Sequence, residues 1–243
     1  MTVSTSPRLF YTTSPMPCPY LPGRQERKVM TELTGPDAVA LHDRLSQAGF
    51  RRSHAIAYAP VCAGCRACVP IRIPVRQFVP DRTQRRLLRR QAGITIMEVP
   101  PQATAEQYEL FRRYQASRHE SGDMAQMSAS DYRAMVEDSP VATSLLEYRD
   151  AGGTLVCVSL VDELSDGLSA VYTFFETADP RASFGTFSIL TLIEETRRRN
   201  LAHLYLGYWV RGSDKMAYKS RFRPAEIMRG GHWMPLSLTA GQS

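Results

Sequence analysis

Between Ser144 and Phe175 the chain carries three apolar runs, Leu145 to Tyr148, Leu155 to Val161 and Leu168 to Phe175. They are separated by Asp150-Ala-Gly-Gly153 and by Ser165-Asp-Gly167, the residue types that tight turns require, so the segment is read as an antiparallel meander. A loop from Thr177 to Phe184 follows. From Thr186 to Asn200 the apolar residues Phe187, Ile189, Leu190 and Ile193 fall on one helical face, and Arg197-Arg-Arg199 suits the negative end of the helix dipole. Leu201 to Val210 is again strand-like. A meander, then a helix, then a strand buries its apolar faces as a sheet with helices layered on it, which makes the fold class α+β.

Upstream, Val39, Leu41, Leu45 and Ala48 recur at helical spacing until Gly49. Residues 55–58 and 69–75 alternate like strands, and Pro70 and Pro74 place the second of these at a sheet edge. Thr104-Ala-Glu-Gln107 and Ser128-Ala-Ser-Asp131 carry the capping-box pattern and start two further helices. The first thirty residues hold five prolines and are expected to run extended over another surface. No Gly/Ser-rich linker and no internal repeat divides the 243 residues. The expected organisation is two subdomains in close contact, residues 1–100 bearing the cysteines and residues 101–243 bearing the meander.

The charge is unevenly placed. Residues 1–100 have a formal balance of +9 and residues 101–243 one of −3, within a total of +6. Arg82 to Arg90 is the densest basic stretch, five arginines without an acidic residue, and reads as a helix face for a polyanion. Lys215, Lys219 and Arg221 alternate with Tyr218 and Phe222, a pairing of cations and flat rings that suits the end of a single-stranded nucleic acid. Neither a signal peptide nor an apolar run long enough to span a membrane is visible, so a cytoplasmic location is expected.

Cys62-Ala-Gly-Cys65-Arg-Ala-Cys68 sets three thiols at equal intervals, and Cys18 lies in its own proline-rich loop. Together the four could ligate zinc or an iron–sulfur cluster, and small cysteines equally fill cores without any metal. Arg181-Ala-Ser-Phe-Gly-Thr186, at a helix start, could seat a phosphate or serve as an ordinary cap. P-loop and nucleophile-elbow motifs are missing, which argues against P-loop nucleotide hydrolysis and serine hydrolase chemistry.

Taken in order, Cys18-Pro-Tyr-Leu-Pro-Gly-Arg24, Cys62-x2-Cys65-Arg-Ala-Cys68-Val-Pro, Gln84-Arg-Arg86 and Arg118-His119 with Gly122 and Met124 resemble the bacterial aspartate/glutamate leucyltransferases. So do Gly167-Leu-Ser-Ala-Val-Tyr-Thr-Phe-Phe175, Gly185-Thr186, Tyr205-Leu-Gly-Tyr-Trp209 and Lys215-Met-Ala-Tyr-Lys219. These are aminoacyl-tRNA–protein transferases related to the eukaryotic arginyl-tRNA–protein transferases. The resemblance runs from about Phe10 to Pro235. It implies a GNAT-like C-terminal domain with a mixed sheet and no acetyl-CoA chemistry. It also implies transfer of leucine from leucyl-tRNA to proteins that begin with Asp or Glu, marking them for degradation, with no cofactor required. The eukaryotic relatives have a Cys-x2-Cys where this chain has Cys18 and Leu21, so Cys62 and Cys65 would complete any ligand set here.

On that reading, Glu176 is the expected proton acceptor, and Tyr172 or Tyr208 the donor to the tetrahedral intermediate or the leaving ribose oxygen. Arg24, Arg66 and Arg76, with Lys215 and Arg221, are the candidates for binding an acidic first residue. The tRNA acceptor end is expected along Arg85, Arg86, Arg89, Arg90, Lys215 and Lys219. An acyl-CoA-dependent N-acetyltransferase and a non-catalytic zinc-dependent nucleic-acid binding module are the alternatives.

Overall fold

A computed structural model describes residues 8–118 and 122–237. Four short strands open it, β1 (Tyr11–Thr12), β2 (Met16–Pro17), β3 (Gln25–Glu26) and β4 (Lys28–Glu32), followed by α1 (Ala38–Gln47). Next come β5 (Arg51–Ser53), β6 (Ile56–Pro60), β7 (Cys68–Pro74), α2 (Arg82–Arg90), β8 (Thr95–Val99), α3 (Ala105–Arg118) and α4 (Ala129–Glu137). The expected meander is β9 (Thr143–Arg149), β10 (Leu155–Glu163) and β11 (Gly167–Phe175), and it leads into α5 (Phe184–Arg198) and β12 (His203–Val210). A short α6 (Asp214–Ala217) and a hairpin of β13 (Glu226–Arg229) and β14 (His232–Pro235) complete the chain.

An eight-stranded mixed sheet, in the order β14-β13-β7-β12-β11-β10-β9-β8, forms the centre. Helix α5, with α2 beside it, brings Phe187, Leu190, Ile193 and Leu87 into a core with Tyr148, Leu168 and Leu204. From α3 and α4, Leu110, Phe111, Tyr132 and Val136 pack with Leu145, Leu160 and Phe174. Both capping boxes form: the amide N–H of Gln107 donates to Thr104 Oγ1 and that of Asp131 to Ser128 Oγ.

The large sheet crosses the expected border near residue 100, since both β7 and β8 belong to it. Strand β7 is interior, between β13 and β12, and is not the edge that its prolines suggested. β13 pairs with it only at Ile71 and Arg72, between Pro70 and Pro74, so the missing proline N–H groups cost no bond to that neighbour. The remaining N-terminal residues form a four-stranded sheet, β1-β4-β6-β5, and the small ladder β2-β3.

A buried ion pair ties the small sheet to the large one. Arg52 on β5 donates through Nε (2.6 Å) and Nη2 (2.7 Å) to the two oxygens of Asp162 on β10. Asp162 is fully buried, and it also accepts from Thr143 Oγ1 at 2.8 Å. Burial of His42, which lies 3.4 Å from the same carboxylate, lowers its affinity for a proton and favours the neutral ring, even though Asp162 pulls the other way. Removing one member of such a pair strands a buried charge. Arg52→Met is therefore expected to lower unfolding stability by about 3–5 kcal/mol, measured by urea denaturation; a loss below about 1 kcal/mol, the size of an exposed pair, would contradict this.

Candidate active site

Within the large sheet β11 and β12 are the parallel neighbours, and they pair over three residues only, Gly167, Leu168 and Ser169 against His203, Leu204 and Tyr205. Beyond that point each continues without pairing to the other, to Phe175 and to Val210, and we read the space between the two unpaired stretches as a cleft. At the same level β12 slips register against β7 between Tyr205 and Tyr208, where Gly207 has a φ of 70°. Parallel strands that separate leave carbonyl groups without their ladder partners, and buried carbonyls need donors. Two cations supply them. Arg51 Nη2 donates to Ala170 O (3.2 Å) and Val171 O (2.6 Å), and Lys219 Nζ donates to Leu206 O (2.9 Å) and Tyr208 O (2.8 Å). A Cβ on Gly207 would collide with the Arg51 guanidinium, so only glycine lets this cation lie against β12.

Each of these two groups donates to two carbonyls, which carry no charge to cancel its own, and neither has a carboxylate partner among the described residues. The Lys219 ammonium is held well below its ordinary proton affinity, first by burial and then by the nearby Arg51. Arg51 also lies within electrostatic reach of Tyr20 in the N-terminal loop and of Tyr208. The cleft thus begins beside the cysteine-bearing loops.

Towards the far end of β11 lies Tyr172. Gln115 Nε2, on α3, donates to its hydroxyl oxygen at 2.7 Å, which leaves the phenolic proton for another acceptor. Burial raises the pKa of this phenol, so it stays protonated at neutral pH. Tyr114, on the same helix, packs its ring on Phe175 with centroids 4.9 Å apart, and burial pushes its hydroxyl up to about 12. Glu176 closes this end. Burial by itself would raise its pKa, but the N–H groups of Ala178 and Thr177 and the Arg113 guanidinium outweigh it and hold the carboxyl below the usual range. Glu176 is therefore an ionised acceptor already engaged by three donors, at 3.1, 2.8 and 3.2 Å, and a poor match to a proton leaving an amine.

Other expected site residues divide by exposure. Tyr208 is buried, its hydroxyl 3.0 Å from Gly49 O and 3.1 Å from Tyr58 O, so its proton is spent joining β12 to the N-terminal part. Lys219 is likewise buried under β12 and cannot lie along a polyanion as expected, because its ammonium is committed to the two strand carbonyls. Arg85, Arg86, Arg89 and Arg90 are exposed on α2, with Leu87 turned inwards. Gln84 Nε2 reaches Arg221 O at 3.4 Å, so this basic helix and the exposed Lys215 and Arg221 share one side of the molecule. Arg24 and Arg66 are exposed in the cysteine loops, and Arg76 is held by Asn200 Oδ1 at 2.7 Å.

Cys18, Cys62, Cys65 and Cys68 come into one region: the Cys68 thiol is pushed up to about 11 by burial and then by the other three. They do not converge as ligands. Among the described residues no group of three or more His, Cys, Asp or Glu side chains is placed to hold a metal ion. Cys62 Sγ is instead engaged by the Arg27 backbone, 3.4 Å from its nitrogen and 3.7 Å from its oxygen. As arranged among the described residues, the four thiols do not fit a zinc or iron–sulfur site. Cys157 is fully buried in the core.

The sequence reading missed Arg51 and Gln115. A signal existed for the first: Arg51 and Arg52 are consecutive in a strand and must face opposite ways, so one of them had to find a buried acid and the other something else.

A family model described as arginine-tRNA-protein transferase, N terminus, matches residues 16–86, and its C-terminal counterpart matches residues 106–229. The aspartate/glutamate leucyltransferase of Gluconobacter oxydans is 63% identical over 95% of this chain and 96% of its own. That of Gluconacetobacter diazotrophicus is 62% identical over 95% and 88%, and that of Rhodospirillum rubrum 57% over 94% and 93%. Among solved structures, L-PGS from Bacillus licheniformis superposes with a TM-score of 0.50 at 10% identity, over 70% of this chain and 59% of that one, a likeness of fold alone. By its length of match and degree of identity, the chain belongs to the aspartate/glutamate leucyltransferases, within the wider family of arginine-tRNA-protein transferases.

Proposed function

We propose that this protein transfers leucine from leucyl-tRNA to the α-amino group of proteins that begin with Asp or Glu, a mark for their degradation. The observation that carries the reading is identity of about 60% to aspartate/glutamate leucyltransferases over nearly the whole chain. The cleft between β11 and β12 supplies chemistry suited to it. We read the surrounding layers as GNAT-like, with the meander, α5 and β12 as the acyl-transfer half. No helix among the described residues is long and apolar enough to cross a membrane, and we place the reaction in the cytoplasm with its tRNA donor.

In the reaction the α-amine attacks the ester carbonyl, a C–N bond forms, the C–O bond to the terminal ribose breaks, and the proton lost by nitrogen ends on the ribose oxygen. An α-amine has a pKa of about 7.7–8.0, so a useful fraction is neutral at pH 7 and no strong base is needed. Proximity and stabilisation of the tetrahedral oxyanion supply the acceleration. Tyr172, protonated and with its proton free, is the donor we assign to that oxyanion. Glu176, ionised at the cleft end, is better suited to attract the incoming ammonium than to remove its proton. Arg51 is half-buried, fixed by two carbonyls and un-neutralised, which makes it the best placed cation for the acidic side chain; the exposed Arg24, Arg66, Lys215 and Arg221 are left to surround the entrance. The tRNA acceptor end would run along Arg85, Arg86, Arg89 and Arg90.

Labelled leucine is expected to pass from leucyl-tRNA to peptides beginning with Asp or Glu and not to those beginning with Ala or Arg; no transfer to any peptide would refute the assignment. Loss of a charge-assisted contact is worth about 1.5–3 kcal/mol, so Arg51→Gln should reduce the preference for Asp over Asn peptides at least tenfold in kcat/KM. An unchanged ratio would remove Arg51 from acid recognition. Binding of the tRNA should weaken steeply with salt, and Arg86→Gln should reduce the log–log slope by about 1. Lys219→Gln should leave that slope unaltered, since a buried ammonium releases no counterion.

A further inference from the structure

Between α3 and the turn at Asp123–Gln126 lies a pocket of about 200 Å³. Phe111, Ala116, Met124, Ala125 and Met127 give it apolar walls, and Gln115 lines it as well. It is smaller than the roughly 300–1,000 Å³ clefts that enclose a whole drug-sized ligand, and its scale is that of one aliphatic side chain. Methionines with a small alanine wall shape themselves readily around a branched hydrocarbon.

Gln115 joins this pocket to the reaction centre. Its side chain is buried and its Nε2 holds the Tyr172 hydroxyl, yet its Oε1 is buried without any hydrogen-bond partner. Leaving such an acceptor stranded is unfavourable, and a ligand N–H relieves it on binding. A donor whose ester carbonyl lies at the Tyr172 hydroxyl has its α-nitrogen one carbon away, within reach of such an acceptor. The pocket contains no carboxylate among the described residues that line it, and its one charged member, Arg112, is 3.5 Å from Glu109. Among the described lining residues a guanidinium would meet methionines and another guanidinium, and no carboxylate to neutralise it.

We propose that this pocket receives the leucyl side chain of the donor, that Gln115 Oε1 accepts from the leucyl α-nitrogen, and that the pocket selects leucyl over arginyl donors. The inference rests on the transferase reading above and adds to it the site that reads the donor amino acid.

The test uses the full chain, an Asp-initiated peptide and one tRNA body charged separately with leucine, alanine or arginine, so that tRNA contacts are constant. Ala116 is exposed on α3, and substitutions there leave the core alone. Each methylene in an apolar pocket is worth about 10- to 200-fold, so Ala116→Phe, by filling the space, should lower the leucyl-to-alanyl ratio of kcat/KM at least tenfold. Ala116→Glu should raise the arginyl-to-leucyl ratio at least tenfold, a gain that misfolding cannot produce. Ratios within twofold of wild type for both variants, or equal losses with all three donors, would overturn the pocket assignment while wild-type leucyl transfer still stood. Absence of leucyl transfer by the wild type would overturn the transferase reading, and the pocket assignment with it.

Discussion

The separation of β11 from β12 is the constraint on which the rest of the site depends. A sheet that opens in its middle exposes carbonyls that neither strand can satisfy, and the fold answers with side chains in place of backbone. Arg51 and Lys219 approach from different parts of the sequence and dock on carbonyls of opposite walls. A neutral donor would have met the same structural need. Using Arg51 leaves a positive charge in a low-dielectric cleft, the field that an acidic substrate and a developing oxyanion both favour, while the same burial lowers the proton affinity of Lys219. Structural repair and electrostatic preparation are here one event.

This arrangement also explains why the N-terminal sheet is held so firmly. Arg52 is clamped by Asp162 on one side of β5, and that clamp fixes the course of the strand from which Arg51 projects the other way. Tyr208 reaches back to Gly49 and Tyr58, and Trp233 Nε1 donates to Gln47 O at 2.9 Å, so the C-terminal end of α1, the turn into β5 and β6 are tied to the large sheet. The cation in the cleft is positioned by packing remote from the chemistry.

Sequence periodicity was a sound guide where elements are local. The meander, α5 and the capping boxes of α3 and α4 follow from turn residues, apolar spacing and cap chemistry within a few residues of one another. What escaped depends on distant partners. β7 carries two prolines and reads as an edge, yet it becomes interior because β13 meets it only between them. The hairpin of β13 and β14 is short and half-exposed and shows little alternation. Lys219 sits among exposed basic residues in the sequence, and its burial follows from the slip in β12 at Gly207. Arg51 had no acidic neighbour in sequence to advertise a role, because its partners are carbonyls brought by a strand more than a hundred residues away.

The interior position of β7 also governs the order in which the molecule can be assembled. This strand leaves the ribosome early, but its neighbours β12 and β13 are synthesised more than a hundred residues later. Until they arrive, an apolar strand with both edges open waits on the growing chain, a situation that favours wrong pairing or capture by a chaperone. Closure of the cleft between β11 and β12 is accordingly a late act of folding, since β12 is laid down beside β7 and β11 together. The same chain cut near residue 100 would keep β7 and lose both of its partners, so neither half is expected to be a stable, soluble piece on its own.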